Sequence, residues 1–258
     1  MRRFALLPFA SCLLPLLNGC AKSPSGGPTV RATNRFQTTL TLAGTLNPAY
    51  YYAIAFDDTG DSSRGPVAID GNTPILNGVM GGSFRLLVLY HQNAFRVFYR
   101  PTPNSAGSEE EILGATNLFN TGQVPHVTTN GIDVTINLDA QFTSGPMTGT
   151  YIFPHAADAA GTQRMVANSF DLNVAATNTV LRGGSSNNLI KPVDAFGAQT
   201  LSTPVKIQDL STHTTSVSDA IADENLGVDT TYSDTNSRNY VPFQNIDVTS
   251  LQIGITRF

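Results

Sequence analysis

The chain has 258 residues, of which 41% are apolar and 13% charged, with a formal net charge of −4, no Trp, and two Cys that both fall within the first twenty positions. An acidic chain without a basic run lacks the phosphate-neutralising patch that nucleic-acid binding needs, so no nucleic-acid partner is expected. The apolar content suffices for a packed core, and with no Cys after position 20 that core must hold without disulfides or thiolate metal sites.

Met1-Arg2-Arg3 precedes FALLPFASCLLPLL, a basic start and an apolar run laid out like a secretory signal. The run is short and broken by Pro8 and Pro15, which unfits it as a membrane span. Its end, Leu17-Asn18-Gly19-Cys20, resembles the lipobox of bacterial lipoproteins. Leu17, Gly19 and Cys20 match that pattern, while Asn18 stands where a small or β-branched residue is usual. The resemblance covers about the first 22 residues, so it says nothing of the folded part. It implies a signal peptide over 1–20, cleavage before Cys20, acylation of Cys20, and the lipid bilayer of a bacterial cell envelope as partner. With about 0.8 kcal/mol per buried CH₂, several acyl chains would anchor the protein without a spanning helix. Ala21-Lys22 lacks the Asp that favours inner-membrane retention in enterobacterial lipoproteins, and by that analogy the outer membrane or cell surface is expected. Two alternatives stay open: modification at Cys12, after Ala10-Ser11, or an ordinary cleaved signal in which Cys20 is incidental. Loss of Arg2 and Arg3 leaves 13 basic against 19 acidic residues, a net charge of −6.

Residues 21–33 contain SPSGGP and almost nothing apolar, and read as a flexible tether. From Asn34 the pattern turns to period two, with Phe36, Thr38, Leu40 and Leu42 on one face of a strand. Asn47-Pro48 breaks it, and a second strand runs from Tyr50 to Phe56, with Tyr52, Ile54 and Phe56 on one side and Tyr51, Ala53 and Ala55 on the other. After an acidic loop comes the strongest hairpin signal: arms Phe84 to Tyr90 and Ala94 to Arg100 around a His91-Gln92-Asn93 turn. The arms carry Phe84, Leu86, Val88 and Tyr90 on one face and Leu87, Leu89 and Phe98 on the other, so the hairpin should be covered on both sides.

Ser108 and Glu111 fit a capping box at the head of a short helix reaching about Phe119, which would assign Glu109, Glu110 and Glu111 to helix initiation and solubility. Further strands are predicted at Gly131 to Leu138, Gly149 to Phe153 and Ser169 to Ala175. A second short helix is predicted at Ser218 to Leu226, capped by Gly227, and a last strand over Ile246 to Phe258 with an irregularity near Ser250. Short strands, many turns and no fixed repeat predict an all-β, antiparallel β-sandwich with one or two short helices over residues 34–258. A division near 120–130 is the alternative.

Two constellations carry chemistry. Asp57, Thr59 and Asp61 stand at one-three-five spacing, with Asp58 adding charge, so their oxygens could converge on Ca²⁺, helped by Asp70 or backbone carbonyls. Ser62 and Ala68 break an EF-hand pattern, and an Asp/Gly/Ser turn is the plain alternative. Tyr50, Tyr51, Tyr90 and Tyr99 with Asn93, Arg100 and Asp58 could stack on and bond a glycan, against the alternative of core packing. His91, His126, His155 and His213 show no zinc spacing, and no nucleophile elbow or phosphate loop is present. The functional expectation is a lipid-anchored, non-catalytic envelope protein that binds a surface glycan or an envelope protein, or serves an envelope structure. Its alternative is a surface or secreted glycan hydrolase using Asp carboxylates, a chemistry that needs two facing carboxyls.

Overall fold

The computed structural model describes residues 34–61, 64–68, 76–112, 118–119, 125–143, 145, 147–167, 169–177, 193–195, 205–207, 213–218, 245–246 and 248–256. The strands are, in order, β1 (Arg35–Leu42), β2 (Tyr51–Asp57), β3 (Pro66–Ala68), β4 (Met80–Gly82), β5 (Leu86–His91), β6 (Ala94–Tyr99), β7 (Glu110–Glu111) and β8 (His126–Thr128). They continue as β9 (Gly131–Asn137), β10 (His155–Ala157), β11 (Gln163–Met165), β12 (Phe170–Thr177), β13 (Val193–Ala195), β14 (Val205–Ile207), β15 (His213–Ser218) and β16 (Val248–Thr256). Every ladder is antiparallel. Of the two large sheets, one runs β15-β16-β1-β9-β8 and the other β13-β12-β2-β5-β6-β7, with β14 also on β12, while β3-β4 and β10-β11 form two-stranded sheets.

Period-two alternation in the sequence becomes the interface between these sheets. Phe36, Leu40, Ile132, Val134, Ile136, Leu251 and Ile253 from the first sheet share one buried cluster with Tyr52, Ile54, Phe56, Leu86, Val88, Leu172 and Val174 from the second. The fold is therefore an all-β sandwich of antiparallel sheets, and its cluster draws on strands from both sides of residues 120–130. At one end Phe36 meets Phe56 edge-on at 5.2 Å and Phe170 at 5.7 Å, and Phe153 meets Phe170 at 5.3 Å. Such edge-to-face pairs lock ring orientation beyond the area they bury. The predicted irregularity near Ser250 is a bulge, since Thr41 pairs Ser250 while Leu42 pairs Val248.

The second sheet is covered on its outer face too. There Ala53, Ala55, Leu87, Leu89, Phe98 and Ala175 pack with Val79, Met80 and Phe84, as the two-sided hairpin pattern predicted. The alanines leave room for the β3–β4 hairpin to lie close, and Asn173 Nδ2 fastens it by donating to the Pro66 carbonyl at 2.7 Å. Gly82 makes the approach feasible. Its φ is +68°, and a Cβ there would stand 2.2 Å from the Gly65 carbonyl oxygen.

Three expectations need correction, and a fourth falls outside the described residues. Phe84 joins the outer cluster rather than sharing a face with Leu86. Gly149 to Phe153 forms no strand, only the isolated bridge Gln141–Tyr151, because Gly149 turns the backbone at φ +85°. No helix starts at Ser108 among the described residues: a 3₁₀ turn occupies Ala106–Ser108, and Glu110–Glu111 is strand β7, paired with Tyr99 and Phe98. Ser108 Oγ donates to the Ser105 carbonyl at 2.8 Å instead of capping, while Glu109 pairs with the buried Arg100 and Glu111 with the half-buried Arg96. Finally, Ser218 ends β15, and residues 219–226 of the second predicted helix lie outside the described residues.

One core position is chemically mismatched. Thr38 is fully buried on the inward face of β1, and its hydroxyl has no hydrogen-bond partner. Val fills the same volume without the stranded polar group, whose burial costs about 1 kcal/mol or more. Thr38→Val should therefore raise the melting temperature by about 2–4 °C, measured by calorimetry. An unchanged or lower value would show the hydroxyl to be satisfied in solution.

Candidate functional site

Strand polarity sorts the predicted residues between two ends of the sandwich. The Phe36–Phe56 contact sets the start of β1 beside the Asp57 end of β2, while Tyr52 Oη, accepting from the Asn47 amide at 2.9 Å, sets the far end of β1 beside Tyr51. At about 3.3 Å per residue, the seven residues of β2 separate the acidic loop from Tyr50 and Tyr51 by roughly 20 Å.

At the first end the carboxylates of the predicted cation loop point to protein partners. Asp57, fully buried, accepts Thr59 Oγ1 at 2.7 Å and the Thr59 amide at 3.3 Å, closing an Asx-type turn. Asp58 turns to the other side and meets Arg85 Nε with both oxygens at 3.1 Å. Burial pushes its carboxyl above the usual range, with the Arg85 charge pulling against that rise. Asp61 reaches Arg64 at 3.6 Å in a largely exposed pair. Asp70 lies outside the described residues, and among those described no three His, Cys, Asp or Glu side chains form a metal-holding group. Asp57 also stands directly across from Asp171 on β12, likewise buried, and Asp171 is in turn registered with Lys206 on β14.

Beneath this loop lies a polar network that sequence reasoning missed. Arg100, predicted as a ligand contact, is buried: its Cζ sits 3.7 Å from the Phe84 ring centroid, Nη1 donates to the Gly82 carbonyl at 2.7 Å, and Nη2 to Glu109 Oε2 at 2.8 Å. Burial lowers the pKa of its guanidinium, and the Glu109 bond works against that. Glu109 Oε1 accepts both the backbone amide and Nδ2 of Asn77, whose Oδ1 takes the amides of Val79 and Met80. Arg85 Nη1 donates to the Pro101 carbonyl at 2.6 Å. The available signal was two arginines at the open end of a buried hairpin followed by three glutamates.

A third cluster fastens the entry to β1. Asp139 accepts the Asn34 amide at 3.0 Å and its Nδ2 at 3.1 Å, while His155 Nε2 lies 3.1 Å from the other oxygen. His155 Nδ1 faces the Phe153 carbonyl at 2.9 Å, so each ring nitrogen sits against an oxygen acceptor. Tyr151 stacks on it at 3.7 Å. Burial pushes the Asp139 carboxyl up, but its bonds to Asn34 and His155 outweigh this and hold it below the usual range.

The opposite end gathers Tyr50, Tyr51, Tyr90 and Asn93, but not Tyr99 or Arg100. Tyr99 lies nine residues beyond Tyr90, at the open end of the hairpin. It is buried against Phe142 at 4.9 Å, and burial raises the pKa of its phenol. Tyr90 is a core ring whose hydroxyl donates to Asn93 Oδ1 at 3.1 Å. Tyr51 stacks on His91 at 3.8 Å and 11°, and His91 Nδ1 faces the Tyr50 carbonyl at 3.2 Å. Gln92, Asn93 and Ala94 are exposed at the apex, with φ +51° at Gln92 and +59° at Asn93. On the flank, Arg96 forks onto Glu111 at 2.7 and 2.6 Å. No family model, curated protein or solved structure matches this chain.

Two measurements test these networks. Glu109→Ala strands the Arg100 charge and two Asn77 donors, so stability should fall by about 3–5 kcal/mol, or roughly 10 °C in melting temperature. A loss under about 1 kcal/mol would mean that the pair breaks even with solvent. For Asp139 the lowered pKa makes its contribution present above the unfolded value near 3.8 and lost as pH falls through the folded value below it. Asp139→Asn should thus be less stable than the parent at pH 7, with the gap closing below about pH 4. A pH-independent gap would rule that linkage out.

Proposed function

We propose that this protein is a bacterial envelope lipoprotein, cleaved before Cys20 and held at the outer membrane or cell surface by acyl chains on it, with a non-catalytic β-sandwich serving a binding or structural role. The observation that carries this reading is the leader itself: a basic start, an apolar run and Leu17-Asn18-Gly19-Cys20. The placement of β1 is compatible with it, because β1, the first strand among the described residues, starts at Arg35 and its entry is fixed by the Asn34–Asp139 bonds. Thirteen residues stand between Cys20 and Asn34, a span of at most about 45 Å.

The partner in this reading is a surface glycan or another envelope protein, met at the end carrying Tyr50 and Tyr51, away from the entry of β1. The alternative, glycan hydrolysis by Asp carboxylates, would rest on Asp57 and Asp171, the facing pair on β2 and β12. Both are fully buried, which favours the binding reading.

Cys20→Ala tests the anchor. The parent chain should stay with membranes through high-salt washing and incorporate labelled palmitate, whereas the variant should be soluble and unlabelled. A variant that remains in the membrane fraction would sink the proposal.

A further inference from the structure

We infer that the tip built from Tyr50, Tyr51, His91, Gln92, Asn93 and Phe95 is a binding site for a neutral glycan. This deepens the binding role proposed above and rests on it.

The rings at the tip are rooted in the domain but not swallowed by it. Tyr50 and Phe95 pack on the main core and Tyr51 on the outer cluster, each only partly buried, and Phe95 leans on Tyr90 at 5.0 Å. The Tyr51–His91 stack holds two aromatic planes parallel, so their orientation is fixed before a ligand arrives. Preorganised flat rings are what the CH faces of a pyranose need, and fixing them in advance reduces the ordering that binding must supply.

The turn supplies the polar half. A two-residue hairpin loop with both central φ values positive is most comfortable as Asn-Gly, yet here it reads Gln-Asn. Neither residue escapes the Cβ penalty of the left-handed region, and Gln is a poorer fit there than Asn. What the strained turn gains is two exposed amides at its apex, where Asn-Gly would keep one. The Asn93 side-chain Oδ1 is taken by the Tyr90 hydroxyl, which turns its NH₂ to the other side, and the Gln92 backbone is fixed by its amide donating to the Pro48 carbonyl at 2.6 Å. An amide both donates and accepts, as a sugar hydroxyl does.

Charge narrows the ligand class. Arg96, the nearest guanidinium, is forked onto Glu111, and His91 Nδ1 is engaged with the Tyr50 carbonyl. Among the described residues of the tip no cation is left unpaired to recruit a phosphate or carboxylate, and no free carboxylate to recruit a cation. Rings beside neutral amides fit an uncharged sugar chain.

The test uses the full chain, extracted in a detergent without a sugar headgroup, and saturation-transfer NMR with cellotetraose, chitotetraose, maltotetraose and xylotetraose, plus an oligogalacturonate as acidic control. At least one neutral probe should receive saturation, with affinity about tenfold weaker in Tyr51→Ala. Gln92→Asn with Asn93→Gly should bind as weakly while melting at the same or a higher temperature, which separates recognition from folding even if Tyr51→Ala folds poorly. No transfer to any neutral probe, undiminished binding in either variant, or binding to the acidic probe alone would overturn the inference. Each of those results leaves the Cys20→Ala fractionation untouched, so failure here is distinguishable from failure of the anchor.

Discussion

The second sheet is buried on both faces, and most of what is unusual in this molecule follows from that cover. Along β2, Tyr52, Ile54 and Phe56 enter the main core while Ala53 and Ala55 meet the outer cluster, so the strand has no solvent side. Charged residues are excluded from its middle and accumulate where its neighbours run out, at Asp58, Arg85 and Arg100. There they are still out of water, and an unpaired buried charge costs several kcal/mol. Each guanidinium therefore takes one carboxylate, and its other arm donates to a backbone carbonyl, Gly82 at the end of β4 or Pro101 just after β6. The loops around β3, β4 and β7 are shaped by this demand for partners more than by local propensity.

That is why the strands were legible in the sequence and the glutamates were not. Alternation at Phe36 to Leu42 and Ile132 to Leu138 reports burial of one face directly, the unbroken apolar run Leu86 to Tyr90 reports burial of both, and even the bulge at the foot of β16 appears as a break in the period. Ser108-Glu109-Glu110-Glu111, by contrast, carries the same letters whether it starts a helix or supplies counter-ions. The choice depends on Arg100, nine residues before Glu109, and Arg96, fifteen before Glu111, once the β5–β6 hairpin has brought them round. A capping box stabilises a helix by about 1 kcal/mol, while leaving Arg100 buried without its carboxylate would cost several times that.

The candidate site was half legible for a related reason. Tyr50, Tyr51, Tyr90, Asn93, Tyr99 and Arg100 were grouped by residue type, but a hairpin turning at Gln92-Asn93 must send residues 90 and 99 to opposite ends, since Tyr99 pairs with Leu86 and Tyr90 with Phe95. Following strand polarity separates them without any coordinates. What polarity cannot supply is which rings keep an open edge, because that depends on what covers each face. His91, Gln92 and Phe95 belong with the tip on that criterion, whereas Tyr99 and Arg100 belong to the core.

The two ends of the sandwich differ in how tightly their backbones are determined. Around Asn34, Asp139 and His155, and around Arg100, Glu109 and Asn77, each loop is held by several bonds from side chains that are buried or half-buried, so a change at one member propagates to the others. The tip turn is held by the Gln92–Pro48 and Tyr90–Asn93 bonds and the ladder behind it, so its residues answer to few structural demands. A surface loop on a rigid scaffold can carry specificity at little cost to the fold. The strained left-handed pair at Gln92 and Asn93 fits this division, because strain confined to a hairpin apex is borne by the ladder beneath it and does not reach the pinned end.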